Sequence, residues 1–355
     1  MNYFERSTMT VVWRVVAFVA AASIALVGGS GPSMARKPKP ELHIKFATLA
    51  PEGSTWMKIM HKLDTELRRE TENRMGFKFY PGGVQGDEKD VLRKIRNGQL
   101  HAGGFTGMGL GSIASEFRAL EVPFMFRNLA EVDHVRKLME PSFEKVFDEK
   151  GFIILGWADV GFVYIFSNQP ITSPQELQRA KMWTWSGDRL AELFFKAFEV
   201  SPIPLALPDV LTSLQMGVVN AVYSPPLACI ALQWFTRVKY MSDIPITYAF
   251  GALLVSKRAL AKAKPGDVEI LKRLTRKHSA VLVAKTRTQN VEAIDAIQSE
   301  GVQLLPISDE VTNLFFVTGR SAWKNGVGKL YPAELLERVS SAVDEYRAGH
   351  KEARQ

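Results

Sequence analysis

Two hydrophobic periods alternate between residues 42 and 98, and that alternation leaves the chain few folds to adopt. LHIKFATLA (42–50) carries the period-two, β-rich pattern of a strand. Ser54 follows as an N-cap for a helix through Arg69, with Met57, Met60, Leu63 and Leu67 spaced along its buried face. FKFYPGG (77–83) is a second strand, broken by Pro-Gly-Gly. Asp87 then opens a helix that turns Val91, Leu92 and Ile95 inward and stops at Gly98. Strand, helix, strand, helix predicts an α/β fold, a parallel or mostly parallel sheet with helices on its faces.

The same grammar continues downstream. Residues 151–168 form a long strand region in which the chain crosses from one lobe to another near residue 160. Ser173-Pro174-Gln175-Glu176 is a capping box with proline at the first helical position. KMWTW (181–185) is a short strand dominated by tryptophan. A helix from about Arg189 to Phe198 leads into VSPIPLALPD, whose three prolines break regular structure. Val210 to Gly217 is helical, AVYS (221–224) is a strand, Asp267 to about Ser299 is a long helix, and one or two more helices follow from Glu334.

Before this pattern lies VVWRVVAFVAAASIALV (11–27), which reads as a signal sequence. Arg6 and Arg14 supply its positive end, and the 13-residue apolar run Val15–Val27 is shorter than the roughly 18 to 20 residues of a membrane span. Small residues at Ser33 and Ala35 place cleavage after Ala35, which leaves 320 of the 355 residues. A chain of that size is expected to divide into two lobes. Losing Glu5, Arg6 and Arg14 leaves 43 basic and 36 acidic residues. The positives are interleaved with acids, as in HKLDTELRRETENR (61–74), so a solvated surface is expected and no nucleic-acid partner. The single cysteine, Cys229, excludes an internal disulfide and sits in an apolar run that reads as inert core.

No catalytic or metal chemistry stands out. The six histidines make no i, i+3 or i, i+4 pair, HExxH is absent, and neither a GxSxG elbow nor a Walker A loop occurs. Gly109-Leu110-Gly111-Ser112-Ile113-Ala114 fits a dinucleotide fingerprint, but it begins some sixty residues into the fold of an exported protein. It reads instead as a loop that brings backbone close to a cleft. No metal, no cofactor and no enzymatic activity are expected. The unusual feature is aromatic: Trp157, Phe162, Tyr164, Trp183, Trp185 and Tyr223 all fall in or beside strands. Each reads as core when taken singly; at the carboxyl ends of strands, such residues line ligand sites.

Five ordered stretches resemble the substrate-binding proteins of TRAP transporters, the DctP-like periplasmic receptors. They are IKFATLAPEGSTW, FYPGGVQGDEKDVLRKIRNGQLHAG (79–103), LEVPFMFRN (120–128), ITSPQELQRAKMW (171–183) and SPIPLALPDVLTSLQMGVVNAVYSPP (201–226). The resemblance implies an α/β, two-lobed periplasmic binding protein of the type II-like, Venus-flytrap form, with a cleft between lobes and a long connecting helix. It places lobe I at 41–160 plus about 250–289, and lobe II at 161–249 plus about 290–355. It also implies a periplasmic location, a small-molecule ligand trapped by lobe closure, and delivery to the membrane subunits of a TRAP permease.

The departures from the family carry the ligand expectation. Where the family's arginine forks onto a ligand carboxylate, this chain has Trp183. A commonly polar or basic position falls on Val163, a usual asparagine on Ser224 beside Val222-Tyr223, an often polar first-strand position on Leu49, and a Gly-rich-loop position on Thr106. With Trp56, Phe105 and Trp185, these form the expected ligand-binding set: Leu49, Trp56, Phe105, Thr106, Val163, Trp183, Trp185, Tyr223 and Ser224. An unpaired carboxylate would lose hydration there at a cost of several kcal/mol, whereas apolar surface gains about 25 cal/mol per Å². The expected ligand is therefore hydrophobic or aromatic. Two alternatives stay open: an organic acid held by another base such as Arg189 or Arg127, and an exported enzyme on the same scaffold.

Overall fold

A computed structural model describes residues 39–351. The expected signal sequence and its cleavage point lie outside the described residues. The chain begins with strand β1 (Leu42–Ala47), helix α1 (Thr55–Glu70), β2 (Met75–Tyr80), α2 (Glu88–Arg96), β3 (Ala102–Thr106) and α3 (Gly107–Ile113). A 3-10 turn (Ser115–Glu121) leads to α4 (Leu129–Glu149) and the long β4 (Phe152–Ser167). Next come α5 (Pro174–Arg179), β5 (Trp183–Trp185), α6 (Arg189–Ala197), β6 (Ile203–Leu205), α7 (Val210–Gln215), β7 (Ala221–Ser224) and α8 (Pro226–Ala231). The chain closes with β8 (Tyr240–Ser242), β9 (Thr247–Ser256), α9 (Lys257–Leu260), α10 (Pro265–Ser299), β10 (Gln303–Leu305), α11 (Asp309–Gly326) and α12 (Ala333–Lys351).

Local chemistry explains the first four elements. Ser54 accepts from Met57 N at 3.2 Å, and Met57, Ile59, Met60, Leu63 and Leu67 bury one stripe of α1. Asp87 caps α2 through Glu88 N at 2.8 Å, with Asp90 reaching back to form the reciprocal capping box. Gly98, at φ +77°, turns the chain out of that helix.

The strands run β10-β8-β4-β9-β3-β1-β2, with β7 also paired to β4, and β5-β6 form a separate parallel pair. The main sheet is mixed rather than mostly parallel. β9 runs antiparallel to β3 and β4, whereas β1 is parallel to both β2 and β3. β4 changes partners along its length: Phe152–Val163 pair with β9, and Tyr164–Ser167 pair with β7. Register shifts at Ile154/Gly156 and Asp159/Gly161 bend it between the two sets.

Packing covers both faces of β4. Ile154 and Trp157 join Phe117, Phe143 and Phe147 in one core, while Leu155 and Ala158 join α1 and α10 residues in another. That is why the strand reads as a nearly continuous apolar run. Helix α10 approaches closely at Gly156, where a Cβ would lie 2.9 Å from Ser279 Cβ. The last two helices pack on different partners. Val339, Ala342 and Val343 of α12 pack with Val132, Val135 and Met139 of α4. Helix α11 packs on α6 instead, through Phe315 against Phe198 at 5.1 Å between ring centroids.

Candidate functional site

One cavity of about 540 Å³ opens at the carboxyl ends of the strands. All nine residues expected from sequence lie along it. Leu49 follows β1, Trp56 lies in the first turn of α1, and Phe105 and Thr106 end β3. Across from them stand Trp183 and Trp185 of β5 and Tyr223 and Ser224 of β7, with Val163 at the point where β4 changes partners.

The aromatic wall is tightly built. Trp183 is 1% exposed and stacks on Tyr223, with centroids 4.8 Å apart and planes 24° apart. Its other side meets Trp234 edge-on at 5.2 Å, and its indole N–H donates to Leu205 O at 3.2 Å. Such ring pairs are worth about 0.5–1.5 kcal/mol beyond their area burial. Trp183 is thus core and cavity wall at once. Tyr223 Oη accepts from Trp185 N at 3.2 Å, and burial, followed by the Asp188 charge, pushes its phenol pKa upward. Trp185 sends its own N–H across the cavity to Asp87 Oδ2 at 2.7 Å. The other aromatic residues behave as core: Trp157 stacks on Phe117, and Phe162 meets Tyr248 edge-on at 4.9 Å.

The cavity also holds charge that the aromatic pattern concealed. Arg118 lines it and gives one guanidinium nitrogen to Glu121 Oε2 at 2.6 Å and the other to Asp188 at 2.9 and 3.1 Å. Glu121 Oε1 accepts from Phe250 N at 2.8 Å. Burial pushes the Glu121 carboxyl up to about 7, against the downward pull of Arg118. Burial would lower the Arg118 pKa, but Asp188 and Glu121 raise it on balance. Glu88 accepts from Thr106 N at 2.8 Å, Thr106 Oγ1 at 3.1 Å and Gly109 N at 2.7 Å; burial pushes it up to about 8. Neither Arg127 nor Arg189 reaches the cavity; both are exposed. The sequence signal for this cluster is FRALEV, where Arg118 and Glu121 stand three apart inside a buried apolar run.

The glycine-rich stretch has a steric function. A Cβ at Gly107 would overlap the Glu121 carboxyl, and one at Gly109 would overlap the Glu88 carboxyl. At Gly104 a Cβ would stand 2.6 Å from Trp56 Cη2. These glycines admit two buried acids and one indole to the cleft, in keeping with the close backbone approach expected from sequence.

Asp159 on β4, part of the cavity lining, receives Arg136 at 3.0 Å and Arg287 of α10 at 2.6 Å, while Asp133 receives both arginines at 2.7 Å. Gly161, at φ +125°, sits under Asn290, whose side chain joins Val160 O to Leu227 N. Among the described residues, no group of three or more His, Cys, Asp or Glu is placed to hold a metal, and no helix is long and apolar enough to cross a membrane.

The family model of the bacterial extracellular solute-binding proteins, family 7 (DctP), matches residues 46–329. A solute-binding protein of Verminephrobacter eiseniae is 23% identical over 283 residues, 78% of this chain and 82% of that protein. A TRAP periplasmic solute-binding protein of Xanthobacter autotrophicus Py2, with bound β-D-galacturonate, superposes with a TM-score of 0.78 at 17% identity, covering 84% of this chain and 99% of its own. A Bordetella pertussis extracytoplasmic solute receptor binding pyroglutamic acid superposes with a TM-score of 0.78 at 16% identity, covering 85% and 99%. The fold is the expected two-lobed α/β fold of TRAP solute-binding proteins, whose family consists of receptors rather than enzymes. With residues 46–329 matched, the chain belongs to the bacterial extracellular solute-binding proteins of family 7, the DctP-like receptors of TRAP transporters.

Proposed function

We propose that this receptor traps a small ligand with an aromatic or apolar body in the cleft and delivers it to the membrane subunits of a TRAP permease. The observation that carries the reading is Trp183 stacked on Tyr223, at the position where the resemblance puts the family's carboxylate-binding arginine. The cavity volume of about 540 Å³ suits a small molecule. Trapping by closure is supported by the direct contacts that span the cavity, Arg118 to Asp188, Trp185 to Asp87 and Lys89 Nζ to Ser186 O at 2.9 Å. A ligand touching both walls favours the closed arrangement because it gains contacts there that the open one lacks.

A second reading keeps an organic acid as ligand, since the structural neighbours named above carry galacturonate and pyroglutamic acid. It requires Arg118, the one arginine lining the cavity among the described residues. Native mass spectrometry of the receptor from a periplasmic preparation, followed by organic extraction, separates the two. A retained aromatic or apolar molecule is expected; a retained sugar acid or keto acid overturns the first reading and favours the second.

A further inference from the structure

We infer that the cleft selects for a ligand whose polar end donates hydrogen bonds, a protonated amine on an aromatic or apolar body, and selects against a free carboxylate. The inference rests on the reading of this cavity as the ligand site. It follows from the balance of charge on the cavity wall and from the acceptor sites left on its acids. Both terminal nitrogens of Arg118 are already engaged, one by Glu121 and one by Asp188. One cation therefore faces two acids, and an incoming carboxylate would be the third.

The acids keep acceptor sites, most of them on Glu121. A carboxylate offers about four lone-pair sites. Glu121 spends one bond on Arg118 and one on Phe250 N. Asp188 Oδ1 is occupied by Arg118 and by Leu190 N and Ala191 N at the start of α6, but Oδ2 receives Arg118 alone. Arg118, with five N–H groups, has donor capacity left as well, so charge sets the preference: it is the one cation among the described residues lining the cavity, and Glu121 and Asp188 share it. The nearby arginines Arg136 and Arg287 add no surplus, because Asp133 and Asp159 bind both of them. A protonated amine reaching the open lone pairs of Glu121 or of Asp188 Oδ2 would make charge-assisted hydrogen bonds, the stronger kind. The aromatic body would then lie toward Trp183 and Tyr223 on the same cavity wall.

Titration calorimetry of the purified receptor at pH 8, above the value of about 7 to which the Glu121 carboxyl is pushed, with 2-phenylethylamine, 2-phenylethanol and phenylacetate tests this. The amine is expected to bind at least about tenfold more tightly than the acid, the difference one charge-assisted bond supplies. Glu121→Gln and Asp188→Asn, each checked for an unbroken unfolding transition, should narrow that ratio by weakening the amine and strengthening the acid. Phenylacetate binding as tightly as the amine, with phenylethanol also bound, overturns the donor preference and leaves the aromatic cleft standing. Binding of none of the three at millimolar concentration overturns the aromatic cleft and the donor preference together.

Discussion

Trp185 donates its indole N–H to Asp87 Oδ2 at 2.7 Å, joining the short strand β5 to the N-cap of α2 across the ligand cavity. Both residues are buried, so the bond is shielded from bulk solvent. Trp185→Phe keeps most of the ring and removes the donor. The unmet acceptor on a buried carboxylate is expected to cost about 1–3 kcal/mol. Because the lost bond spans the cavity, the variant should also sample a wider opening. Urea denaturation reads the first effect and the radius of gyration of the ligand-free protein in solution scattering reads the second. A lower midpoint with an unchanged radius would make the bond a support for β5 alone.

Trp183 is held on two faces, by Tyr223 at 4.8 Å and Trp234 at 5.2 Å. Trp183→Arg introduces the side chain that the sequence resemblance implies for this position but puts a guanidinium among rings, where only cation–π contact compensates its lost hydration. The variant should lose about 3–5 kcal/mol of stability, the cost of deleting a large core ring, and bind the retained ligand at least about tenfold less tightly. Trp183→Phe, which keeps one ring and gives up the other along with the bond to Leu205 O, should retain most of the affinity. Unchanged ligand affinity in the arginine variant removes Trp183 from the binding surface.

Gly107 and Glu121 occupy adjoining space that a single methyl group would fill. Gly107→Ala must push the Glu121 carboxyl away from Arg118 and Phe250 N, at about 1–3 kcal/mol for overpacking and more for the broken bonds. Glu121→Asp withdraws the carboxyl by one methylene. The double variant should therefore recover part of the loss, a positive coupling that a thermodynamic cycle of the four proteins measures. Additive effects would mean that the glycine serves the turn of α3 and not the acid.

The elements from 42 to 98 were legible because their signals are local. A cap, a stripe at helical spacing and a stop lie within a few residues of one another, and the strands and helices found at 42–47, 55–70, 75–80 and 88–96 follow them. Helix α10 and strand β7 were legible for the same reason. What depends on distant partners was not. β9 inserts between β3 and β4 against their direction, and no periodicity encodes a neighbour's direction. Helix α12 lies on α4, about two hundred residues earlier, because Val339 and Val343 meet Val132 and Val135 only after folding. The site divides similarly. Aromatic residues at strand ends stand out in a sequence, whereas Arg118 and Asp188 become a pair only when residues seventy positions apart meet.

Glu88 gives the fold a pH dependence opposite in sign to that of an ordinary surface acid. Its carboxyl is buried, and that burial, with Asp87 alongside, outweighs the bonds from Thr106 and Gly109 and pushes it from 4.5 up to about 8. The folded state then holds a proton that the unfolded chain has released, so stability is greatest below about 4.5 and is lost as the pH rises through about 8. Glu121, facing Arg118 and Asp188 and pushed up to about 7, acts in the same direction. His43 and His101, lowered first by burial, act oppositely, but their effect is confined to the region near and below their ordinary 6.5. Between pH 7 and 9 the melting temperature of the ligand-free protein should therefore fall by a few degrees. Glu88→Gln carries no titrating group, so its fall should be shallower. It should also melt lower at pH 6, because an amide N–H₂ replaces one of the oxygens that accept from Thr106 and Gly109. A parallel pair of pH profiles, the variant displaced but no flatter, would assign the slope to Glu121 or elsewhere and leave Glu88 ionised throughout.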